Sequence, residues 1–390
     1  MNMNYVSEAK ALKDQVIGWR RELHQIPELG TKLPQTMKYI SGKLTEMGIE
    51  HQVKDDISCI WFTLGQGEPC LMLRADVDAL PGNELSGLPF ASTNGCMHSC
   101  GHDMHGAVML GVSKALKEHE AELKGTVKVL FQSAEETFQG AKAAIAQGVL
   151  ENPKVDAAFG MHIFASQNLG SLAYNDILMG AVYGFKITIT GVGGHGSQPE
   201  RCIDPINAGV EVYQALHALI AREKPPLKAA ALTIGQFAAG EASNVIPEVC
   251  VLQGTLRTFD PEVRALLIKR INEIVPAVCT AYRCKCEIEE LSNVPSLVCD
   301  SKLSEEIRAG IDEIGVITEY LPGTQFIGSE DFALYAEKVP SVYYTIGAGP
   351  EDKSLWFGQH NPKIVFNEDA MEKAVAIFLK TVDGYFENHK

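Results

Sequence analysis

Two hydrophobic rhythms alternate along the first half of the chain. CLMLRAD (70–76), GTVKVLFQSAEE (125–136) and VDAAFGMH (155–162) are short apolar runs that read as strands, and each ends in acid or histidine. Between them, HDMHGAVMLGVSKALKEH (102–119) sets Ala107, Leu110, Val112 and Leu116 at helical spacing, and AKAAIAQGVLE (141–151) reads as a second helix. The opening MNMNYVSEAKALKDQVIGWRREL has the pattern of an amphipathic helix. Strands alternating with helices predict an α/β domain with a mostly parallel central sheet.

The rhythm changes over residues 183–293. YGFKITITG, AAALTIGQFAAG, EVCVLQGTLRTF and CKCEIEEL read as strands. IDPINAGVEVYQALHALI (203–220) and FDPEVRALLIKRINEIV (259–275) read as helices, each opening on Asp-Pro, an N-cap followed by proline at the first helical position. The order βαβ-βαβ predicts an inserted ferredoxin-like α+β domain. An α/β pattern resumes after it: SEEIRAGIDEIG (304–315) and NEDAMEKAVAIFLKTVDGYFENH (367–389) are helical, and PSVYYTIGAG (340–349) is a strand. The expected organisation is therefore a catalytic domain in two parts, 1–182 and 294–390, interrupted by a lid or dimerisation domain at 183–293.

Length supports two cores, because 390 residues exceed what one hydrophobic core comfortably serves. A net charge of −15 argues against nucleic acid and against an anionic membrane surface, since both require a basic face. No segment is apolar for the ~18 residues that a spanning helix needs. Ten cysteines occur with no secretory leader, and Cys59, Cys70, Cys250 and Cys279 lie in apolar runs, so buried thiols in a reducing cytoplasm are expected.

Candidate chemistry sits at the strand ends. Asp76 and Asp78 end one strand, Glu135 and Glu136 a second, and His162 a third. Ligands of open α/β sheets bind outside the carboxyl ends of the strands. The segments carrying Cys100-Gly-His102 and Gln359-His360-Asn361 are long enough in reach to join that edge. Taken singly, each feature has a plain reading: a Glu-Glu pair is usually solvated, a histidine after a strand is usually a hydrogen-bonded rim residue, and Cys-x-His lacks the second pair of a structural zinc site. Their convergence favours a metal centre. A nucleophilic Cys100 is the poorer reading, because a thiolate among several imidazoles and carboxylates is better placed as a ligand. Adjacent glutamates suggest divided labour, one binding metal and one taking a proton from a water whose pKa the metal lowers toward ~7.

The ordered segments RRELHQIPELG (20–30), LRADVDALP (73–81), MHSCGHDMH (97–105), VLFQSAEE (129–136), FGMH (159–162), GVGGHGSQP (191–199), ASNVIPE (242–248), GTLRTFD (254–260), GSEDFA (328–333) and QHNPKIVFNEDAM (359–371) span almost the whole chain. With these the sequence resembles the dinuclear metallopeptidase and amidohydrolase family of aminoacylase and glutamate carboxypeptidase. The branch it resembles most contains the N-acyl-amino-acid amidohydrolases, hippurate hydrolase and the auxin-conjugate hydrolases. The resemblance implies two divalent metal ions held by Cys100, His102, Glu136, His162 and His360. Zinc is the expected metal, with manganese, cobalt and nickel suited to the same donors. It further implies Glu135 as general base, His195 as an oxyanion donor reaching a partner subunit's site, Asn244 and Arg257 as substrate-binding residues, and a homodimer or higher homo-oligomer.

His24 reads as structural, His98 and His105 as packing or hydrogen-bonding neighbours of the ligands, and Asp78 and Asp103 as groups that orient a ligating imidazole. Two departures from the family pattern fall near the substrate cleft. Thr137-Phe138-Gln139-Gly140 follows the glutamate pair where glycines are frequent, and Gln359 stands where leucine is common. The expected activity is metal-dependent hydrolysis of the amide bond of N-acyl-L-amino acids; the alternatives are a dipeptidase or carboxypeptidase of the same family, a binding protein that keeps the fold, and a metal-storage protein.

Overall fold

The structure, a computed structural model, describes residues 4–389. Contacts divide it into two compact units. The first contains the chain through Leu178, Val298–Gln325 and Asp331 onward; the second contains Met179–Leu297 and Phe326–Glu330.

An eight-stranded sheet organises the first unit. Before the insertion its strands are β1 (Gln52–Lys54), β2 (Cys59–Gly65), β3 (Cys70–Asp76), β4 (Thr126–Gln132), β5 (Ala157–Phe164) and β6 (Ser171–Tyr174). After it come β11 (Glu319–Pro322) and β12 (Ser341–Gly347), giving the order β1-β2-β4-β3-β5-β12-β6-β11. The central strands β4, β3, β5 and β12 run parallel, and antiparallel neighbours flank them. Every residue of β3, β4 and β12 is buried, as parallel strands covered on both faces require.

Four long helices cover this sheet: α1 (Tyr5–His24), α3 (His102–Glu118), α7 (Ser301–Ile314) and α8 (Asp369–Asn388). The helices α2 (Pro34–Glu46) and α4 (Gly140–Ala146) and a single turn at Ala333–Ala336 also belong to this unit. α3 packs against α1, α8 and β3, and it is buried on nearly all sides. Its apolar residues extend around most of the helix because only a narrow stripe at Lys114, Lys117 and Glu118 reaches water. Met104, Ala107, Leu110, Val112 and Leu116 join one core with Leu71, Leu73, Val127, Phe159 and Ile377. At roughly 1.5–3 kcal/mol for each large side chain buried, this layer fixes α3, and with it the chain segment at its N-terminus.

The second unit contains β7 (Ala181–Thr190), α5 (Pro205–Arg222), β8 (Ala230–Ala239), β9 (Val249–Thr258), α6 (Pro261–Ala281) and β10 (Lys285–Val294). They form a four-stranded antiparallel sheet in the order β8-β9-β7-β10, the ferredoxin-like arrangement. The Asp204 and Asp260 carboxylates cap their helices, accepting from Ile206 N at 2.8 Å and from Glu262 N at 2.9 Å, with proline next in each. α6 runs beyond the expected end at Val275 and through Pro276, because the turn after the proline places Cys279 in the core. Phe326–Glu330 joins this unit through a bridge between Met179 and Phe326 and through Gly180 N–H bonds to Phe326 and Gly328 carbonyls.

Cys59, Cys70, Cys250 and Cys279 are buried free thiols, and burial pushes the Cys59 and Cys70 thiols up to about 11. Among the described residues, no helix is long and apolar enough to cross a membrane.

Candidate metal centre

The polar ends of β3, β4 and β5 meet at one edge of the first unit's sheet. β3 delivers Asp76 and Asp78. β4 stops at Gln132, four residues short of the expected end at Glu136, because Ala134 adopts left-handed backbone (φ 55°) and turns the chain. Glu135 and Glu136 follow in that turn and not in the strand. The Asp78 carboxylate fastens the turn, accepting from Glu135 N–H at 3.1 Å and Glu136 N–H at 3.2 Å.

Gly101 links the loop to α3 at φ 91°, a conformation glycine adopts at no steric cost. This sharp junction leaves Cys100 in the loop and makes His102 the first helical residue. Each imidazole is oriented by its Nδ1. His102 Nδ1 donates to the Asp78 carbonyl at 3.0 Å, and His162 Nδ1 donates to the Ile163 carbonyl at 2.9 Å. Both Nε2 atoms then face the cluster, the tautomer that metal ligation through Nε2 needs.

The five ligand candidates come together. Donor atoms of Cys100, His102 and His162 lie within 4.8 Å of one another, and so do those of Cys100, Glu136 and His360. Cys100 belongs to both groups; its sulfur is 3.3 Å from His162 Nε2. Glu136 Oε1 is 3.4 Å from His360 Nε2 and 3.9 Å from His102 Nε2. A carboxylate oxygen of Glu135 completes a third group with His102 and Glu136. Burial pushes the Cys100 thiol up, with the Glu136 charge adding to it. The Cys100 sulfur and the Glu136 carboxylate beside it raise His360 to about 10.

This site accommodates divalent metal. His102 Nε2 and Glu136 Oε1 are buried without a hydrogen-bond partner, a costly condition that a cation between them relieves. Sulfur, nitrogen and oxygen donors in one cluster suit borderline metals. Asp76, His102 and His105 also approach within 4.8 Å, but His105 is already used at both nitrogens. Its Nδ1 donates to Asp76 and its Nε2 accepts from Ile163 N–H at 3.0 Å.

Beneath the ligands lie two buried ionic networks. Arg74 reaches Asp76 and Asp331 at 2.7 Å each and Gln132 at 3.1 Å. Asp103 was expected to orient a ligating imidazole; instead it points away from them, accepting from Arg20 Nε at 2.7 Å and from His24 Nδ1 at 2.8 Å. The reason is helical geometry, since Asp103 follows His102 and so projects about 100° around α3. His24 is structural, as read, and also contacts Glu84 at 3.0 Å. His98 is buried and makes no hydrogen bond through either nitrogen, and burial drives it down to about 3. Arg20, Glu84 and Asp331 escaped sequence reasoning. Arg20 and His24 at i, i+4 on α1 were the available signal.

The remaining candidates lie in the second unit. His195 pairs with Val245 across a two-residue bridge, and Gly196 N–H donates to the Asn244 carbonyl at 2.8 Å, so His195 and Asn244 are neighbours. Glycine suits this close approach, since a Cβ on Gly196 would stand 3.0 Å from that carbonyl. Ser197 N–H and its hydroxyl donate to His195 Nδ1 at 3.1 and 2.8 Å, leaving Nε2 to carry the proton on an exposed ring. Arg257, half-buried on β9, donates to Ser329 Oγ at 2.9 Å.

A mostly parallel sheet whose strand ends gather a thiol, three imidazoles and paired carboxylates defines a metal-dependent hydrolase. The chain belongs to peptidase family M20/M25/M40, whose sequence profile matches residues 72–384. It is 36% identical over 369 residues to the N-acetyl-L-cysteine deacetylase of Bacillus subtilis (strain 168), covering 93% of this chain and 86% of that protein. It is 34% identical over 379 residues to IAA-amino acid hydrolase ILR1-like 4 of Arabidopsis thaliana, covering 95% and 86%. Thermostable carboxypeptidase 2 of Saccharolobus solfataricus is 32% identical over 376 residues, with 94% of each chain covered. Among solved structures, the YXEP protein of Bacillus subtilis, described as a dinuclear metal binding peptidase, superposes with a TM-score of 0.82 at 32% identity, covering 97% of this chain and 99% of that one. The protein is a metal-dependent amidohydrolase of this family.

Proposed function

We propose that the protein hydrolyses the amide bond of N-acyl-L-amino acids with two divalent metal ions, zinc foremost. The observation that carries this reading is the pair of donor groups sharing Cys100, with Glu135 beside them. Cys100, His102 and His162 would hold one ion and Cys100, Glu136 and His360 the other, because Cys100 stands in both donor groups. Such ions supply Lewis-acid polarisation of the acyl carbonyl and a water acidic enough to attack at neutral pH.

The protein's own groups do the rest. Glu135 takes the proton of the attacking water as the C–O bond forms, then passes it to the leaving nitrogen as the C–N bond breaks. Asp78 holds Glu135 and Glu136 by their backbones, so base and ligand keep a fixed offset. His195 donates its Nε2–H to the developing oxyanion, and Asn244 and Arg257 hold the amino-acid part. An arginine fork suits a free carboxylate better than a point charge does.

His195 acts in the site of a second copy. An open β8 edge supports a homodimer: among the described residues β8 pairs only with β9, and Ile206, Val210 and Tyr213 of α5 and Phe237 of β8 are exposed apolar residues. A cytoplasmic setting fits the ten free cysteines.

The deacylase reading is supported by two relatives named for N-acyl or amino-acid-conjugate substrates. The similarity to a carboxypeptidase supports the second reading, peptide-bond cleavage by the same site. A parallel assay of acetyl-, benzoyl- and aminoacyl-amino acids, with metal analysis of the same sample, separates them. Preference for the acyl compounds is expected; turnover of the dipeptides alone would select the second reading.

A further inference from the structure

We propose that Gln359 is a positioning residue for the metal centre, its side-chain amide clamping the Cys100 loop to the end of β5 and so setting the separation of the Cys100, His162 and His360 donors. This rests on the metal-centre reading above and deepens it.

The ligand candidates come from chain segments that are remote in sequence. α3 and β5 are held by the core, but His360 lies in a turn outside any strand or helix, and its side chain is 53% exposed. Packing therefore does little to place it. Hydrogen bonds from its own segment do more. Gln359 Nε2 donates to the Cys100 carbonyl at 3.0 Å and to the Ile163 carbonyl at 3.0 Å. Gln359 Oε1 faces Ala165 N–H at 3.4 Å. Both amide hydrogens have carbonyl acceptors, which fixes the orientation of the group, because the reversed amide would set oxygen against two oxygens. The next residue adds a fourth tie: His360 N–H donates to the Ser99 carbonyl at 2.9 Å.

One acceptor is shared. The Ile163 carbonyl that receives Gln359 is the same one that receives His162 Nδ1–H at 2.9 Å. Gln359 thus bonds the backbone of one ligand, bonds the carbonyl that orients a second, and is covalently joined to a third. His360 itself has φ 70°, a left-handed conformation that a histidine holds only when its surroundings demand it. The Gln359 and His360 bonds to residues 99–100 and 163 provide that demand. A leucine or methionine fills the same space but supplies no donor, leaving the His360 turn free to shift relative to Cys100. Metal sites tolerate about 0.5 Å of such looseness poorly.

The test uses the full chain, stripped of metal by chelation and titrated with cobalt(II). Cobalt bound to Cys100 gives a thiolate-to-cobalt charge-transfer band, a readout independent of turnover. Wild type is expected to develop that band as cobalt binds. Gln359→Met keeps the length and removes both donors; it is expected to bind cobalt about 10–100-fold more weakly, with a displaced or weakened band. Its metal-free melting temperature stays near wild type, because Gln359 is partly exposed. Gln359→Asn keeps the amide but is one methylene too short to reach, and it shows the same loss, so the test stands if either variant fails to fold. Wild-type cobalt affinity and an unchanged band in the variants overturn the role of Gln359. Absence of the thiolate band in wild type overturns the metal-centre reading itself, and the role with it.

Discussion

Asp78 and Glu135 are joined through a backbone hydrogen bond of 3.1 Å, carboxylate to N–H, and the same carboxylate takes the Glu136 N–H at 3.2 Å. Two strand ends are thereby locked together, and the two glutamates are forced into separate positions along one turn. Glu136 faces His360 and His102, while Glu135 is buried at the margin of the cluster. In the proposed mechanism this clasp is what separates ligand from base.

Glu135→Ala is expected to lower kcat about 10²–10⁴-fold, the range for loss of a general base, while metal content stays near wild type. Metal analysis and steady-state kinetics on one preparation check this. Wild-type turnover would remove Glu135 from the reaction; loss of metal would make it a ligand.

His195→Ala is expected to abolish most activity alone. Mixed with Glu135→Ala under conditions that let subunits exchange, it recovers a fraction, since a hybrid dimer contains one site with both residues intact. Mixtures no more active than either parent would place His195 in its own subunit's site or outside catalysis.

His24 makes stability depend on pH. Burial lowers its basicity, but Asp103 and Glu84 outweigh that and raise the imidazole to about 9. The folded value lies above the unfolded value of about 6.5, so its contribution is complete below that pH and disappears as pH rises through about 9. The full contribution is on the order of 3 kcal/mol for this buried pairing. Denaturant midpoints of wild type and His24→Gln should therefore converge between about pH 6 and pH 10. A gap that does not change with pH would contradict the charged state of His24.

Much of this architecture was legible beforehand because its elements carry local signals. β3, β4 and β5 are mostly apolar runs that carry polar residues at or near their carboxyl ends, and α5 and α6 open on Asp-Pro caps. The Cys100–His105 segment announced itself by crowding. Partner choice was not legible where it depends on distant chain. Asp103 looks like a helper of His102 by adjacency, yet the helix turns it toward Arg20 and His24, 83 and 79 residues away in sequence. Gln359 sits 259 and 196 residues from the two carbonyls it binds, and nothing in its neighbourhood predicts those contacts. The end of β4 was misplaced because the left-handed Ala134 carries no glycine or proline to signal a turn.

Anomalous diffraction at the zinc edge, from crystals grown with zinc, tests the central claim most directly. Two peaks are predicted, both bonded to the Cys100 sulfur at about 2.3 Å, one completed by His102 and His162 and the other by Glu136 and His360. Peaks remote from Cys100, or a sulfur bonded to neither ion, would contradict the account.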